Sequence, residues 1–170
     1  EITIFSFHPV KIITSGEGGL ATTNSKSIYE KLISLRSHGI TKDSKKFKKF
    51  PPEIWFYEQQ QLGLNYRMTD ISAALGLSQL KRLDEIVSER NRQHLLYKDL
   101  FMNTPINLLS IPQGVYSSFH LQVIQLNDKN IKNYKTVFKG LRGLGIGVQL
   151  HYIPVHTQPY YQELGFREEM

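Results

Sequence analysis

The sequence predicts an α/β chain in two units. Three observations carry the prediction: an alternating apolar strand that runs into glycine-rich turns, a long stretch of helical period in the middle, and a strand, helix, strand order after a proline break. Ile2, Ile4, Phe5 and Phe7 make the first strand, and His8-Pro9 ends it, because proline gives no ladder hydrogen bond and restricts the residue before it. The strand end delivers the chain to a loop holding Lys11. Ile12-Ile13-Thr14, Gly16-Glu17-Gly18-Gly19 and Leu20-Ala21-Thr22-Thr23 then read as strand, turn and strand, the pattern of a β-hairpin.

Asn24 or Ser25 can cap a helix whose apolar stripe is Ile28, Leu32 and Leu35. From Gly39 to about Leu64 no period is sustained. The lysine run, Pro51-Pro52 and the aromatic group Trp55, Phe56 and Tyr57 read as a long, solvated, mobile loop. Thr69 or Asp70 then caps the longest helix, which puts Ile71, Ala74, Leu75, Leu77, Leu80, Leu83 and Val87 on its buried side and runs to about Phe101. Asn103-Thr104-Pro105 breaks it, so the expected units are residues 1–103 and 104–170. Beyond the break come an apolar run from Phe119 to Leu126 and a helix with Ile131, Tyr134, Val137, Phe138, Leu141 and Leu144. Gly145 and Gly147 stop that helix, and Ile146 to Tyr152 alternates as a strand.

Composition narrows the function. The chain has 170 residues, 40% hydrophobic, enough to bury a core, and a formal net charge of +6. That charge is concentrated: Lys42 to Lys49 holds five Lys and one Asp, a net of +4. A basic run of this kind suits a polyanion, but no recognition helix or RNA-binding signature accompanies it, so no nucleic-acid partner is expected. The absence of cysteine excludes disulfides, thiolate metal sites and cysteine nucleophiles. No apolar run approaches the roughly 20 residues that span a bilayer, and no signal peptide is visible. A soluble, cytoplasmic protein without a membrane partner is expected, and the opening on Glu1, in mid-strand, gives the expectation of a piece of a longer chain.

Lys11 stands apart from the other lysines. It follows a strand end and a proline and precedes a glycine-rich turn. A lysine held partly out of water there can serve as a Schiff-base nucleophile or a proton shuttle, and the competing reading is a strand-end lysine that snorkels to solvent. Ser6 has its hydroxyl on one side of the strand, where it can donate to a phosphate oxygen or simply be solvated. Gly16 to Gly19 lacks the Lys-Ser/Thr of a P-loop and reads as turn geometry. Asn65-Tyr66-Arg67 precedes the long helix, near the end that favours anions, where capping and a surface ion pair compete with phosphate recognition. Gln149, His151 and Tyr152 close the last strand. His151 and His156 lack a third ligand at metal-site spacing, so no metal is expected.

Four segments, in order, make a more specific pattern: Ser6-Phe7-His8-Pro9-Val10-Lys11-Ile12-Ile13-Thr14-Ser15-Gly16-Glu17-Gly18-Gly19, Arg36-Ser37-His38-Gly39, Leu62-Gly63-Leu64-Asn65-Tyr66-Arg67-Met68-Thr69-Asp70 with Ala73-Ala74, and Gln149-Leu150-His151-Tyr152 with Pro154. Together they resemble the sugar aminotransferases of the DegT/DnrJ/EryC1/StrS family over nearly the whole chain, and within it the members of pseudaminic acid synthesis. The resemblance implies a PLP-dependent transferase of fold type I, here the C-terminal part of its large domain plus an incomplete small α+β domain. It implies pyridoxal 5'-phosphate as cofactor and transfer of an amino group from glutamate to C4 of a UDP-linked 4-keto-6-deoxy-N-acetylhexosamine. Lys11 would attach the cofactor covalently and carry the proton, and Ser6 would bind its phosphate. Asn65 would reach the cofactor or substrate of the neighbouring subunit of a homodimer with shared sites. Gln149, His151 and Tyr152 would line the sugar-nucleotide site, while His8 is expected to be structural.

Dehydratase relatives carry histidine where this chain has Lys11, so the lysine favours transamination. The family's earlier segments, which hold the phosphate loop, the stacking aromatic and the Asp that pairs with the ring nitrogen, have no counterpart in these residues. Little or no activity is therefore expected of this polypeptide alone. The alternatives are a catalytically inactive fragment or relative that serves as a dimerisation or binding module, and a 4-aminotransferase for another nucleotide sugar such as UDP-4-keto-arabinose.

Overall fold

The computed structural model describes residues 1–49, 53–127 and 133–167. The chain divides into two compact units, Glu1–Glu89 and Arg90–Met170. This partition by contact falls inside a helix, and the division at Asn103 stays a proposal about domains.

In the first unit, β1 (Thr3–Ser6) pairs antiparallel with β2 (Gly19–Thr22), Thr3 opposite Thr22 and Ser6 opposite Gly19. Phe7 N–H to Gly18 C=O, 2.9 Å, adds one rung. Ile12 to Thr14, expected as a strand, is not one. The hairpin partner of β2 is β1, and residues 7–18 are the connection that carries Lys11. The reason is local: the Phe7 carbonyl accepts from both the Thr14 hydroxyl and the Ser15 N–H, each at 3.0 Å, so the segment folds back onto the strand end.

Ser25 caps α1 (Lys26–Arg36), its hydroxyl accepting from Ile28 N–H at 3.4 Å. The helix stops through Ser37, and the Gly39 N–H turns back to Ser34 C=O at 2.8 Å. β3 (Ile40–Thr41) pairs antiparallel with β4 (Glu58–Gln59), and a 3₁₀ turn spans Ser44–Lys46 between them. The segment expected as a free loop is thus pinned at its base; the Pro51-Pro52 expectation lies outside the described residues.

The single long helix expected from Thr69 onward is two: α2 (Asp70–Leu80), capped by the Thr69 hydroxyl at 3.2 Å from Ser72 N–H, and α3 (Leu83–Leu100). The ladder tightens at the junction, where Arg82 N–H bonds Gln79 C=O at 3.0 Å. Asp84 and Glu85 then open α3 with the charge that a helix N-terminus favours. The expected buried stripe is also corrected. Ile71 and Leu77 face solvent, while Ala73 and Gly76 face inward. A Cβ on Gly76 would stand 3.5 Å from Ser15 Cβ, so the small-residue side of α2 is the one that approaches residues 7–18.

In the second unit, β5 (Ile106–Leu108) pairs antiparallel with β6 (Ile124–Leu126), Ile106 opposite Leu126. The later half of α3 holds the segment before β6. Arg90 Nη1 donates to the carbonyls of Phe119 and His120, each at 3.0 Å, Asn91 Nδ2 donates to Ser117 C=O at 3.0 Å, and His94 stacks on Phe119 with centroids 3.9 Å apart. α4 (Tyr134–Gly143) ends at Gly145, which takes φ 79°; Ile131 lies outside the described residues. Ile146 to Tyr152, expected as a strand, forms no ladder among the described residues. A 3₁₀ turn at Val155–Thr157 and α5 (Pro159–Glu163) follow, elements the sequence pattern did not mark.

Among the described residues no hydrophobic side chain is buried, and Ser15, 2% exposed, is the buried polar one. The accessible surface is 14399 Å² for 19.7 kDa. A compact monomer of that mass exposes about 8,600 Å², and two separate domains of half the mass about 10,400 Å² together. The excess therefore lies within the units themselves and does not depend on how they are arranged.

Candidate active site

Residues 7–18 form a closed loop built from local hydrogen bonds. Lys11 N–H returns to His8 C=O at 2.9 Å, a β-turn with Pro9 in the position where its fixed φ fits. The Thr14 hydroxyl accepts from Gly16 N–H at 2.9 Å, and the Ser15 hydroxyl donates to Glu17 C=O at 2.8 Å. Gly18, at φ 148°, lies where a Cβ would meet Ser15 Oγ at 2.7 Å and would also collide with the Met68 methyl, so only glycine closes the loop here. His8 Nε2 stands 3.9 Å from Glu17 Oε1 across the loop mouth, both side chains exposed.

Lys11 is half-buried at the end of this turn, and Ser6, exposed, ends β1 at the loop's entrance. Among the described residues neither the Lys11 ammonium nor the Ser6 hydroxyl has a hydrogen-bond or ion-pair partner, so both are free for a ligand. Thr14, Ser15 and Met68 were not singled out from the sequence as shapers of this loop. The signal available was Thr-Ser-Gly, whose hydroxyls turn the backbone back on itself.

Asn65 belongs to the same unit. Residues 64–66 are bolted to the end of α1: His38 N–H to Leu64 C=O, 2.9 Å; Leu64 N–H to Leu35 C=O, 2.7 Å; Tyr66 N–H to Arg36 C=O, 3.0 Å. Asn65 pairs across from Ser37 as an isolated bridge and, like Arg67, is exposed just before α2. Gln149, His151 and Tyr152 lie in the second unit, all exposed; the His151 and Tyr152 rings are 4.0 Å apart. Lys11, Ser6 and Asn65 are therefore carried by one unit, and Gln149, His151 and Tyr152 by the other.

Pyridoxal phosphate fits the chemistry of the donors present in part. A primary amine and a hydroxyl without partners, on one loop and its entering strand, match the aldehyde and phosphate ends of that molecule. Among the described residues no group of three or more His, Asp or Glu could hold a metal ion, and no helix is long and apolar enough to cross a membrane.

The geometry can be set beside known proteins. The profile described as the DegT/DnrJ/EryC1/StrS aminotransferase family matches residues 1–170. The UDP-4-amino-4,6-dideoxy-N-acetyl-beta-L-altrosamine transaminase of Campylobacter jejuni (strain 81-176) is 37% identical over 165 residues, covering 96% of this chain and 42% of that protein. The spore coat polysaccharide biosynthesis protein SpsC of Bacillus subtilis is 32% identical over 99% of this chain and 44% of its own length. Among solved structures, Helicobacter pylori PseC, an aminotransferase involved in the biosynthesis of pseudoaminic acid, superposes with a TM-score of 0.84 at 33% identity, over 96% of this chain and 42% of that one. Spr1654 of Streptococcus pneumoniae in its PLP form superposes at 0.81 with 29% identity, over 97% of this chain and 41% of that one.

The class is thus the fold type I PLP-dependent transferases, and the α/β fold expected from the sequence is a part of it. The chain belongs to the DegT/DnrJ/EryC1/StrS aminotransferase family. Pyridoxal phosphate is the cofactor of that family. The chain spans less than half the length of the relatives it matches.

Proposed function

We propose that the protein carrying this chain is a PLP-dependent nucleotide-sugar aminotransferase. It moves an amino group from glutamate to C4 of a UDP-linked 4-keto-6-deoxy-N-acetylhexosamine, on the way to a pseudaminic-type sugar. The observation that carries the reading is Lys11: a half-buried lysine whose amine has no partner among the described residues, at the end of a hydrogen-bonded turn, in a chain matched throughout by the family profile. The C. jejuni and H. pylori relatives support the substrate class.

When bound, pyridoxal phosphate supplies the electron sink for ionising a bond at the amino-bearing carbon. Lys11 Nζ would hold the cofactor and would move the proton at the amino-bearing carbon. That proton transfer uses the amine in its neutral form. The Ser6 hydroxyl donates to a phosphate oxygen. Asn65 presents its amide to the neighbouring subunit of a homodimer, and Gln149, His151 and Tyr152 orient the sugar nucleotide. A cytoplasmic location belongs to the same proposal.

Borohydride reduction of the full-length protein with pyridoxal phosphate, followed by peptide mass mapping, tests the reading. A reduced label on Lys11 is the expected result, and turnover of 4-keto sugar nucleotides with glutamate then follows; an unlabelled Lys11 in the full-length protein sinks it. The second reading, a binding or dimerisation module, is favoured by the unusually exposed apolar surface. It predicts stable self-association with no label.

A further inference from the structure

The side chain of Ser15 is the most enclosed among the described residues, although it sits in a loop that ends exposed at both sides. Its hydroxyl donates to Glu17 C=O at 2.8 Å and its N–H to Phe7 C=O at 3.0 Å. Two glycines flank it. A Cβ on Gly18, in the same loop, would stand 2.7 Å from Ser15 Oγ, and a Cβ on Gly76, in the second turn of α2, would stand 3.5 Å from Ser15 Cβ. The loop that carries Lys11 therefore meets α2 through small residues that let the two come close.

Met68 makes the second contact with this loop. A Cβ on Gly18 would stand 2.5 Å from Met68 Cε and 3.9 Å from Met68 Sδ, so the thioether methyl rests against the Gly18 backbone. Met68 is 36% exposed, and what it packs on is the loop. Its own backbone is anchored on both sides: Thr69, the next residue, caps α2, and residues 64–66 are bonded to the end of α1. The hydrogen bonds of residues 7–18 are all made within that segment among the described residues. They set the shape of the loop. Its position against α2 is left to packing, and that packing is tight at Gly18 and Ser15.

We infer that Met68 is a positioning residue for Lys11: its methyl on Gly18, together with the Ser15 contact to Gly76, holds residues 7–18 on α2 and so fixes where the Lys11 amine stands. This rests on the reading of Lys11 given above and adds to it the packing that aims the amine.

Trace acetylation of the full-length, cofactor-free protein with acetic anhydride tests it without turnover, the label at Lys11 being measured by peptide mass mapping against Lys31, exposed on α1. In Met68→Ala the ratio of Lys11 to Lys31 label rises by about threefold or more, because a loosened loop opens locally. The Ser15 and Gly16 amides, bonded to Phe7 C=O and the Thr14 hydroxyl, exchange faster in the same variant. Met68→Leu nearly conserves the volume and restores both readouts, while Met102→Ala, the same truncation in the other unit, changes neither. Gly76→Leu presses on Ser15 from the α2 side and raises the ratio as well, so the test does not hang on one variant folding. In the loaded enzyme Met68→Ala lowers kcat by about tenfold and keeps KM within about twofold, the split expected when a reacting group is misplaced and substrate binding is intact. An unchanged ratio in folded Met68→Ala or folded Gly76→Leu overturns the proposal, and so does a Met68→Leu that fails to restore it. The two readings fail separately. A borohydride label on Lys11 with a ratio indifferent to Met68 removes the positioning role alone; a ratio that follows Met68 without a borohydride label keeps the positioning and removes the aminotransferase alone.

Discussion

Lys11 and Ser15 illustrate two ways in which one residue matters. In the proposed function Lys11 is the amine of the reaction, so Lys11→Ala in the full-length protein is expected to cost roughly 10²–10⁴-fold in amino transfer while leaving the melting temperature nearly unchanged. The absorbance change of the cofactor with glutamate, together with a thermal melt, checks both halves. Ser15 contributes shape. It is buried between Gly18, Met68 and Gly76, so Ser15→Leu overpacks the contact with α2 and destabilises the unit by about 1–3 kcal/mol by denaturant titration.

Glu58 adds a pH response. Desolvation pushes its carboxyl up, but the Lys48 and Lys49 N–H groups, the Gln60 side chain and the Lys48 charge pull it down further, leaving it below the ordinary 4.5. A carboxyl lowered by folding stabilises the folded loop at pH above that ordinary value and loses the contribution as pH falls through its own lowered value. The Lys48 and Lys49 amide resonances therefore shift together below about pH 4.5, and in Glu58→Gln they no longer do so.

At the level of elements, the backbone crossing between the end of α1 and residues 59–66 decides where Asn65 stands. Gly39 takes φ 67°, and a Cβ on it would collide with the Gln61 carbonyl; a Cβ on Gly63 would collide with the backbone of His38 and Gly39. Gly39→Ala and Gly63→Ala each cost more than about 2 kcal/mol, because neither backbone can give way without losing the 35–66 hydrogen bonds. Equal melts for wild type and both variants would contradict this crossing. The turn at α2 was only half legible. The helical period of Ile71, Leu75 and Leu77 was correct, but which side faces the unit was decided by close approach, which Gly76 allows to Ser15.

At the level of the whole molecule, the apolar area left in water is the dominant fact. Exposed Ile71, Leu77, Leu80 and Ile4 sit on faces that these residues alone do not cover. Burial worth about 25 cal/mol per Å² is therefore missing from the isolated chain. Expressed by itself, the 170-residue chain is expected to bind a hydrophobic dye and melt over a broad, weakly cooperative range. A sharp two-state melt without dye binding would refute that. The full-length protein is expected to melt cooperatively.

Some features were determined by the sequence alone because they are local. The helix starts at Asn24 or Ser25 and at Thr69 or Asp70, between which the structure chose Ser25 and Thr69, the end of the first strand at His8-Pro9, the glycine stop of α4 and the motifs around Lys11 and Asn65 each need only a few neighbouring residues and a fixed backbone chemistry. The tertiary structure decided what depends on partners distant in the chain: that β2 pairs with β1 rather than with Ile12 to Thr14, that the lysine run is clamped by Glu58 and Phe56, that the long helix divides at Lys81, and that Ile146 to Tyr152 forms no ladder. Alternation and helical period report which side chains share a face. Which face is covered, and which strand is the neighbour, follows from hydrogen bonds and contacts that no window of sequence contains.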